Sequence, residues 1–217
     1  MFEDFLIMIW TVAIAHLFAV VSPGPDFIMV VKNSLSNGRR EGIFTAIGIG
    51  TGLSVHIIYC VAGLALIISQ SIIIFSLLKY LGAAYLIYVG YKSIVAKSSD
   101  GSGLGFSNEN REITKDDRLT DMKAFRTGFI TNVLNPKATL FFLSLFTLVI
   151  SPSTPAPILL FISILMIVNT MLWFSFVAYV VSNPKVRAIF MRYQSVINKV
   201  IGGFFILVGI KLALSEL

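Results

Sequence analysis

The sequence predicts an all-α polytopic membrane protein: six transmembrane helices forming two inverted three-helix repeats, with helices 1 and 4 interrupted at proline motifs. Three observations carry this. Of 217 residues, 56% are hydrophobic and only 13% charged, against about 25% charged in a soluble domain, and the mean hydropathy is +0.87. Charge-free runs of 21, 37 and 47 residues lie between Asp4 and Asp26, Glu41 and Lys79, and Lys137 and Lys185. Lysines and arginines collect in alternate connections. A soluble domain, a disordered chain and a disulfide-stapled secreted module are all excluded. Six spans of about 20 residues leave room for one transmembrane domain over 1–217.

The first span, 5–31, contains the interruption Ser22-Pro23-Gly24-Pro25. It is not read as a signal peptide, because its leading residues Glu3 and Asp4 are acidic. The second run is broken at Ser69-Gln70-Ser71, which gives spans 43–68 and 72–95. The third is broken between Ser151 and Pro157, where three prolines stop a helix, which gives spans 124–150 and 157–181. The last span is 196–214. Lys79–Lys92 and Lys199–Lys211 frame spans 3 and 6, which require these lysines to snorkel. Cys60 is the single cysteine, so there is no disulfide and no CxxC motif.

The basic residues are Lys32, Arg39 and Arg40 in the first loop, seven from Lys92 to Arg126 in the third, and Lys185, Arg187, Arg192 and Lys199 in the fifth. Such alternation places those loops in the cytoplasm and both termini outside. The net charge of +6 therefore reports orientation, not a nucleic-acid partner. Residues 97–121, with both charge signs mixed, read as a cytoplasmic linker between repeat A (1–96) and repeat B (122–217).

Spans 3 and 6 carry similar text: Lys79-Tyr80-Leu81-Gly82 with Gly90, against Lys199-Val200-Ile201-Gly202 with Gly209, about 120 positions apart. At a similar offset, Ser22–Pro25 matches Asn135-Pro136-Lys137. Halves with an odd number of spans are necessarily inverted, an architecture of secondary transporters.

A proline inside a helix deletes a backbone hydrogen bond, and in hydrocarbon the freed groups need partners or a wet cavity. Ser22 is expected to cap a fresh helix, with Pro23 and Pro25 in its first turn, and Asn135-Pro136 to repeat the device. Half-helix N-termini suit a carboxylate, and the carbonyls of the preceding half-helix suit an ammonium. One break per half then describes a site for a zwitterion; the alternative is a pair of packing kinks. Asp26, the only acid at such a position, suits a substrate ammonium or a coupling proton, or merely complements the dipole. Lys137 either snorkels to the cytoplasm or holds a substrate carboxylate.

His16 shares a helical face with Pro23, and His56 shares one with Gly48, Gly52 and Cys60. Each histidine is either a path-lining group or a core residue bonded to a carbonyl. Asn169 and Trp173, four apart, border the path in span 5 or simply pack. Neither a metal site at His56 and Cys60 nor a hydrolase dyad of His16 with Ser54 has the accompanying ligands or elbow motif it needs.

Ser22-Pro23-Gly24-Pro25-Asp26, Gly82-Ala83-Ala84-Tyr85-Leu86 with Gly90, and Gly128-Phe129 through Asn132 to Asn135-Pro136-Lys137-Ala138 resemble the lysine exporter superfamily. Within it, the chain is most similar to the homoserine and threonine exporter branch, over nearly its whole length. The resemblance implies a bacterial inner-membrane permease, without cofactor, that expels small neutral amino acids in exchange for protons. The matching charged positions are Asp26 and Lys137. A divalent-cation exporter, as in distant relatives, is the alternative, and it needs acids, His or Cys to converge at mid-membrane. A non-transporting membrane adaptor is a third reading.

Overall fold

The apolar segments fold as helices in a computed structural model that describes residues 2–70, 72–95, 119–149, 154–181 and 183–214. In order they are α1 (Phe2–Val21), α2 (Pro25–Ser36), α3 (Arg39–Gln70), α4 (Ile72–Val95), α5 (Asp121–Val133), α6 (Pro136–Val149), α7 (Ala156–Val181) and α8 (Pro184–Leu214). Four of them, α3, α4, α7 and α8, are long and apolar enough to cross a bilayer. Counting α1 with α2 and α5 with α6 as bent pairs gives up to six spans. The chain is a multi-pass membrane protein.

Both interruptions fall at the proline motifs. The bend is 53° between α1 and α2 and 56° between α5 and α6. One detail differs from the sequence expectation. Gly24, not Ser22, is the N-cap of α2, and Pro25 takes the first helical position, where no N–H is required. Pro23 is left in the connection. The Ser22 N–H bonds back to the Phe18 carbonyl at 3.1 Å, so Ser22 closes α1 instead of opening α2.

Boundaries shift for physical reasons. The helices of spans 2 and 6 begin before the expected 43 and 196, at Arg39 and Pro184, because nothing in those charged turns breaks a helix. α5 begins at Asp121, inside the expected linker, since Thr120 caps it by accepting from the Lys123 N–H at 3.3 Å. Residues 97–118 of that linker, Ala96 before it and 150–153 of the fourth connection lie outside the described residues. Lys92, Lys199 and Lys211 are exposed, as snorkelling requires. Lys79 does not snorkel: it is 3% exposed, with its ammonium 5.0 Å from the centre of the Tyr80 ring.

Small residues set the packing. A Cβ on Gly48 would collide with the Phe125 carbonyl, and one on Gly128 with the Thr45 carbonyl, so α3 and α5 run side by side in the same direction at backbone contact. α4 and α8 cross in opposite directions. A Cβ on Gly90 would lie 2.6 Å from the Gly202 carbonyl, and one on Gly202 would lie 2.5 Å from the Gly90 carbonyl.

The basic ends of α3 and α5 are tied together. Arg40 donates two hydrogen bonds to the Asp121 carboxylate at 2.7 and 3.0 Å, and the Leu119 N–H donates to Asn37 Oδ1 at 3.3 Å. From that level α2 spans 12 residues and α5 spans 13, about 18 and 20 Å of helix. Both breaks therefore lie at a similar distance from the tied basic ends.

Candidate functional site

The two breaks meet. Asp26, in the first turn of α2, receives two hydrogen bonds on one oxygen: Asn132 Nδ2 donates to Oδ2 at 2.9 Å and Asn135 Nδ2 at 3.0 Å. Asn132 sits in the last turn of α5. Asn135 caps α6, its Oδ1 accepting from the Lys137 N–H at 3.0 Å. A single carboxylate thus holds the helix that ends and the helix that begins at the second break.

Lys137 reaches the other way. Its ammonium donates to the carbonyls of Ser22 at 3.0 Å and Pro23 at 3.4 Å. Of the two sequence readings, snorkelling to the cytoplasm is therefore wrong. The reason is electrostatic: at the second residue of α6 a cation faces the positive end of its own helix. The carbonyls at the end of α1 are the nearest negative end. The sequence reading reserved these carbonyls for a substrate ammonium, and the lysine occupies two of them. Gly24 makes room: a Cβ there would stand 3.3 Å from Lys137 Cδ and Nζ.

Between these groups lies a cavity of about 40 Å³ lined by Ser22, Gly24, Asp26, Asn132, Asn135 and Lys137. At about 10–15 Å³ per water it holds roughly three waters. Two acceptors of the lining side chains, Asp26 Oδ1 and Asn132 Oδ1, are buried without a hydrogen-bond partner. The Lys137 ammonium uses two of its three donors. Unused acceptors beside an unused donor are what a molecule carrying both an ammonium and a carboxylate requires.

The remaining sequence candidates separate. His16 lines the cavity, with Nδ1 3.3 Å from Asn169 Nδ2 and Nε2 3.2 Å from Thr170 Oγ1. His56 stands outside the lining. Its Nε2 lies 2.9 Å from the Asn132 carbonyl, and a carbonyl only accepts, so Nε2 donates and Nδ1 accepts from the Tyr59 hydroxyl at 2.6 Å. His56 thereby gives a second donor to the Asn132 carbonyl, which also accepts from the Asn135 N–H at 2.9 Å. Asn169 borders a separate groove of about 320 Å³ between α1 and α7. Trp173 borders another of about 330 Å³ between α1, α7 and α8. Pro25 and Pro136 act through the backbone, each opening a half-helix.

Sequence reasoning missed Thr170, Phe142 and Phe174, which also line the cavity. The Phe142 ring lies 5.9 Å from each histidine ring. None of the three differs in the sequence from an ordinary apolar-span residue. Ser54 donates to the Thr51 carbonyl at 2.6 Å, so no His16–Ser54 dyad forms. Among the described residues, no three His, Cys, Asp or Glu side chains gather as a metal site.

Comparison with known proteins adds a family. Residues 8–216 match the LysE type translocator model. The chain belongs to the LysE type translocator family. It is therefore a translocator and not an enzyme. This translocator is 31% identical over 213 residues to a threonine efflux protein of Salmonella typhi, covering 97% of this chain and 100% of that one. To the threonine efflux protein of Escherichia coli K12 it is 31% identical over 211 residues, with the same coverage. An uncharacterized Bacillus subtilis membrane protein, YrhP, is 32% identical over 198 residues, covering 90% of this chain and 93% of the relative. No solved structure matches it.

Proposed function

We propose that this translocator exports threonine, homoserine or similar small neutral amino acids in exchange for protons across the bacterial inner membrane. The observation that carries the reading is the meeting of the breaks. Asp26 is held by Asn132 and Asn135, and Lys137 by the Ser22 and Pro23 carbonyls. Spare acceptors and a spare donor face one cavity. The substrate ammonium binds Asp26 Oδ1 and Asn132 Oδ1; its carboxylate binds Lys137.

The halves 1–96 and 122–217 are inverted repeats that rock about this site, with both termini outside. Three pairs support the repeat at an offset of 111–112, in place of the 120 suggested by spans 3 and 6: Pro25 with Pro136, Val21 with Val133, and Gly90 with Gly202. The Gly90–Ile206 approach is mirrored by Gly202–Ile94. This register puts Asp26 opposite Lys137.

A zwitterion moves no net charge, so each exchanged proton contributes the electrical energy, about 2.3 kcal/mol per 100 mV. At about 150 mV that is roughly 3.5 kcal/mol, or about 300-fold accumulation. One proton per substrate suffices.

The test is threonine flux in proteoliposomes under an imposed pH gradient. Asp26→Asn is expected to bring gradient-driven accumulation to the protein-free background in protein that still folds and reconstitutes, at a lowered melting temperature in detergent. Wild-type accumulation by this variant removes the coupling role. A parent protein that moves no amino acid from a broad panel removes the amino-acid reading itself.

A further inference from the structure

The breaks account for only part of the cavity's polarity. A second polar group comes from α1 and α7: His16 and Thr170, each 1% exposed, line the same space. The hydrogen-bond order there follows from the Asn169 amide. The Asn169 amide nitrogen faces His16 Nδ1, and an amide nitrogen only donates, so Nδ1 accepts and Nε2 carries the ring hydrogen. Nε2 then donates to Thr170 Oγ1. The hydrogen on the Thr170 hydroxyl is left for something else.

Most other helical threonines here return that hydrogen to a carbonyl of the preceding turn: Thr11, Thr45, Thr51, Thr127 and Thr139 to the one four residues back and Thr147 to the one three back, while the half-buried Thr131 does not. Among the described residues, Thr170 makes no such bond. In that order its hydroxyl hydrogen meets no acceptor among the described residues, on the wall of a cavity also lined by Leu53, Phe142 and Phe174.

We propose that Thr170, oriented by His16 and Asn169, is the residue that selects the substrate's side chain, taking a small uncharged one that bears a hydroxyl. The inference rests on the reading of the cavity as an amino-acid site and goes one step deeper. Asp26 and Lys137 are matched by the substrate's own ammonium and carboxylate. Apart from His16, no other ionisable side chain among the described residues lines the cavity, so a side chain with a further charge meets no counter-ion there. An aliphatic side chain strands the Thr170 donor, which is unfavourable in a desolvated site. A side-chain hydroxyl accepts that hydrogen bond.

Threonine and valine have nearly the same shape and differ in this group. The experiment is counterflow by the full-length protein in proteoliposomes, with threonine, serine, valine and lysine compared at equal concentration. The parent is expected to favour threonine over valine about tenfold. Thr170→Val should bring the ratio near one, whereas Thr170→Ser, which keeps the hydroxyl, should preserve it. If Thr170→Val fails to insert, Thr170→Ala must lower the ratio in the same direction.

An unchanged ratio in Thr170→Val or Thr170→Ala overturns the assignment, as does an equal loss in Thr170→Ser. So does a parent that treats threonine and valine alike. A parent that carries none of the four overturns the amino-acid reading, a result distinct from loss of selectivity alone.

Discussion

The two interruptions use the same backbone device with opposite charge. Each ends one half-helix, turns through a proline at the first position of the next, and places an ionisable side chain immediately after it: Asp26 after Pro25, Lys137 after Pro136. The acid agrees with its own helix dipole and the base opposes its own. The base therefore crosses to the carbonyl end of the first break. The acid draws the two asparagines of the second. Neither break is satisfied wholly within its own segment. Each is completed by the other, so the pair behaves as one unit that sequence-local reasoning splits in two.

The comparison is broken most severely at Lys137. Lys137→Met leaves the Ser22 and Pro23 carbonyls unpaired in a buried setting and removes the cation nearest the Asp26 carboxylate. Deleting one member of a buried charged set costs about 3–5 kcal/mol. The expected outcome is a large fall in the detergent melting temperature and loss of transport. Asp26→Asn in the same chain should recover part of the stability. A double variant no more stable than Lys137→Met alone would falsify the coupling of the two breaks.

How far the sequence discloses this site follows from the range of the forces involved. The breaks are legible because proline constrains its own backbone, a local and covalent effect. The glycines are legible as close-approach positions, and Gly48 and Gly52 on α3 do meet α5. Which residue caps α2 is harder, since two prolines compete for the first position and only the folded chain shows that Pro25 takes it. The Asp26 partners lie 106 and 109 residues away, and their approach depends on how α3 seats α5. Thr170 is invisible beforehand. Its distinction is a hydrogen bond it does not make, and that appears only when His16 arrives from 154 positions away.

A second test separates the two asparagines. Asn135 both caps α6 and binds Asp26, whereas the Asn132 side chain gives Asp26 one bond and leaves Oδ1 free. Losing a cap costs about 1 kcal/mol, and losing a hydrogen bond to a charged group about 1.5–3. Asn135→Ala is thus expected to destabilise by about 3 kcal/mol and Asn132→Ala by about 2, in chemical denaturation of the detergent-solubilised protein. The sharper contrast lies in binding. If Asn132 Oδ1 receives the substrate ammonium, Asn132→Ala should weaken substrate affinity more than Asn135→Ala, despite its smaller effect on stability. The reverse order would place the ammonium elsewhere.

The mildest probe is Gly24, and its interest is that two physical explanations for the glycine give different outcomes. Its φ of −166° is extended backbone open to any residue, so backbone strain predicts no cost at all for Gly24→Ala. Space predicts a small one. The new methyl would stand 3.3 Å from Lys137 Cδ and Nζ, the mobile end of a long side chain. That end can shift by a few tenths of an ångström, but only by lengthening the bonds to Ser22 and Pro23. The expected loss is under about 1 kcal/mol, read as a small drop in the melting temperature of the detergent-solubilised protein. In Lys137→Met, whose side chain no longer holds those carbonyls, adding Gly24→Ala should have no further effect. An equal penalty in both backgrounds would mean that the glycine serves the bend itself and not the lysine that crosses it.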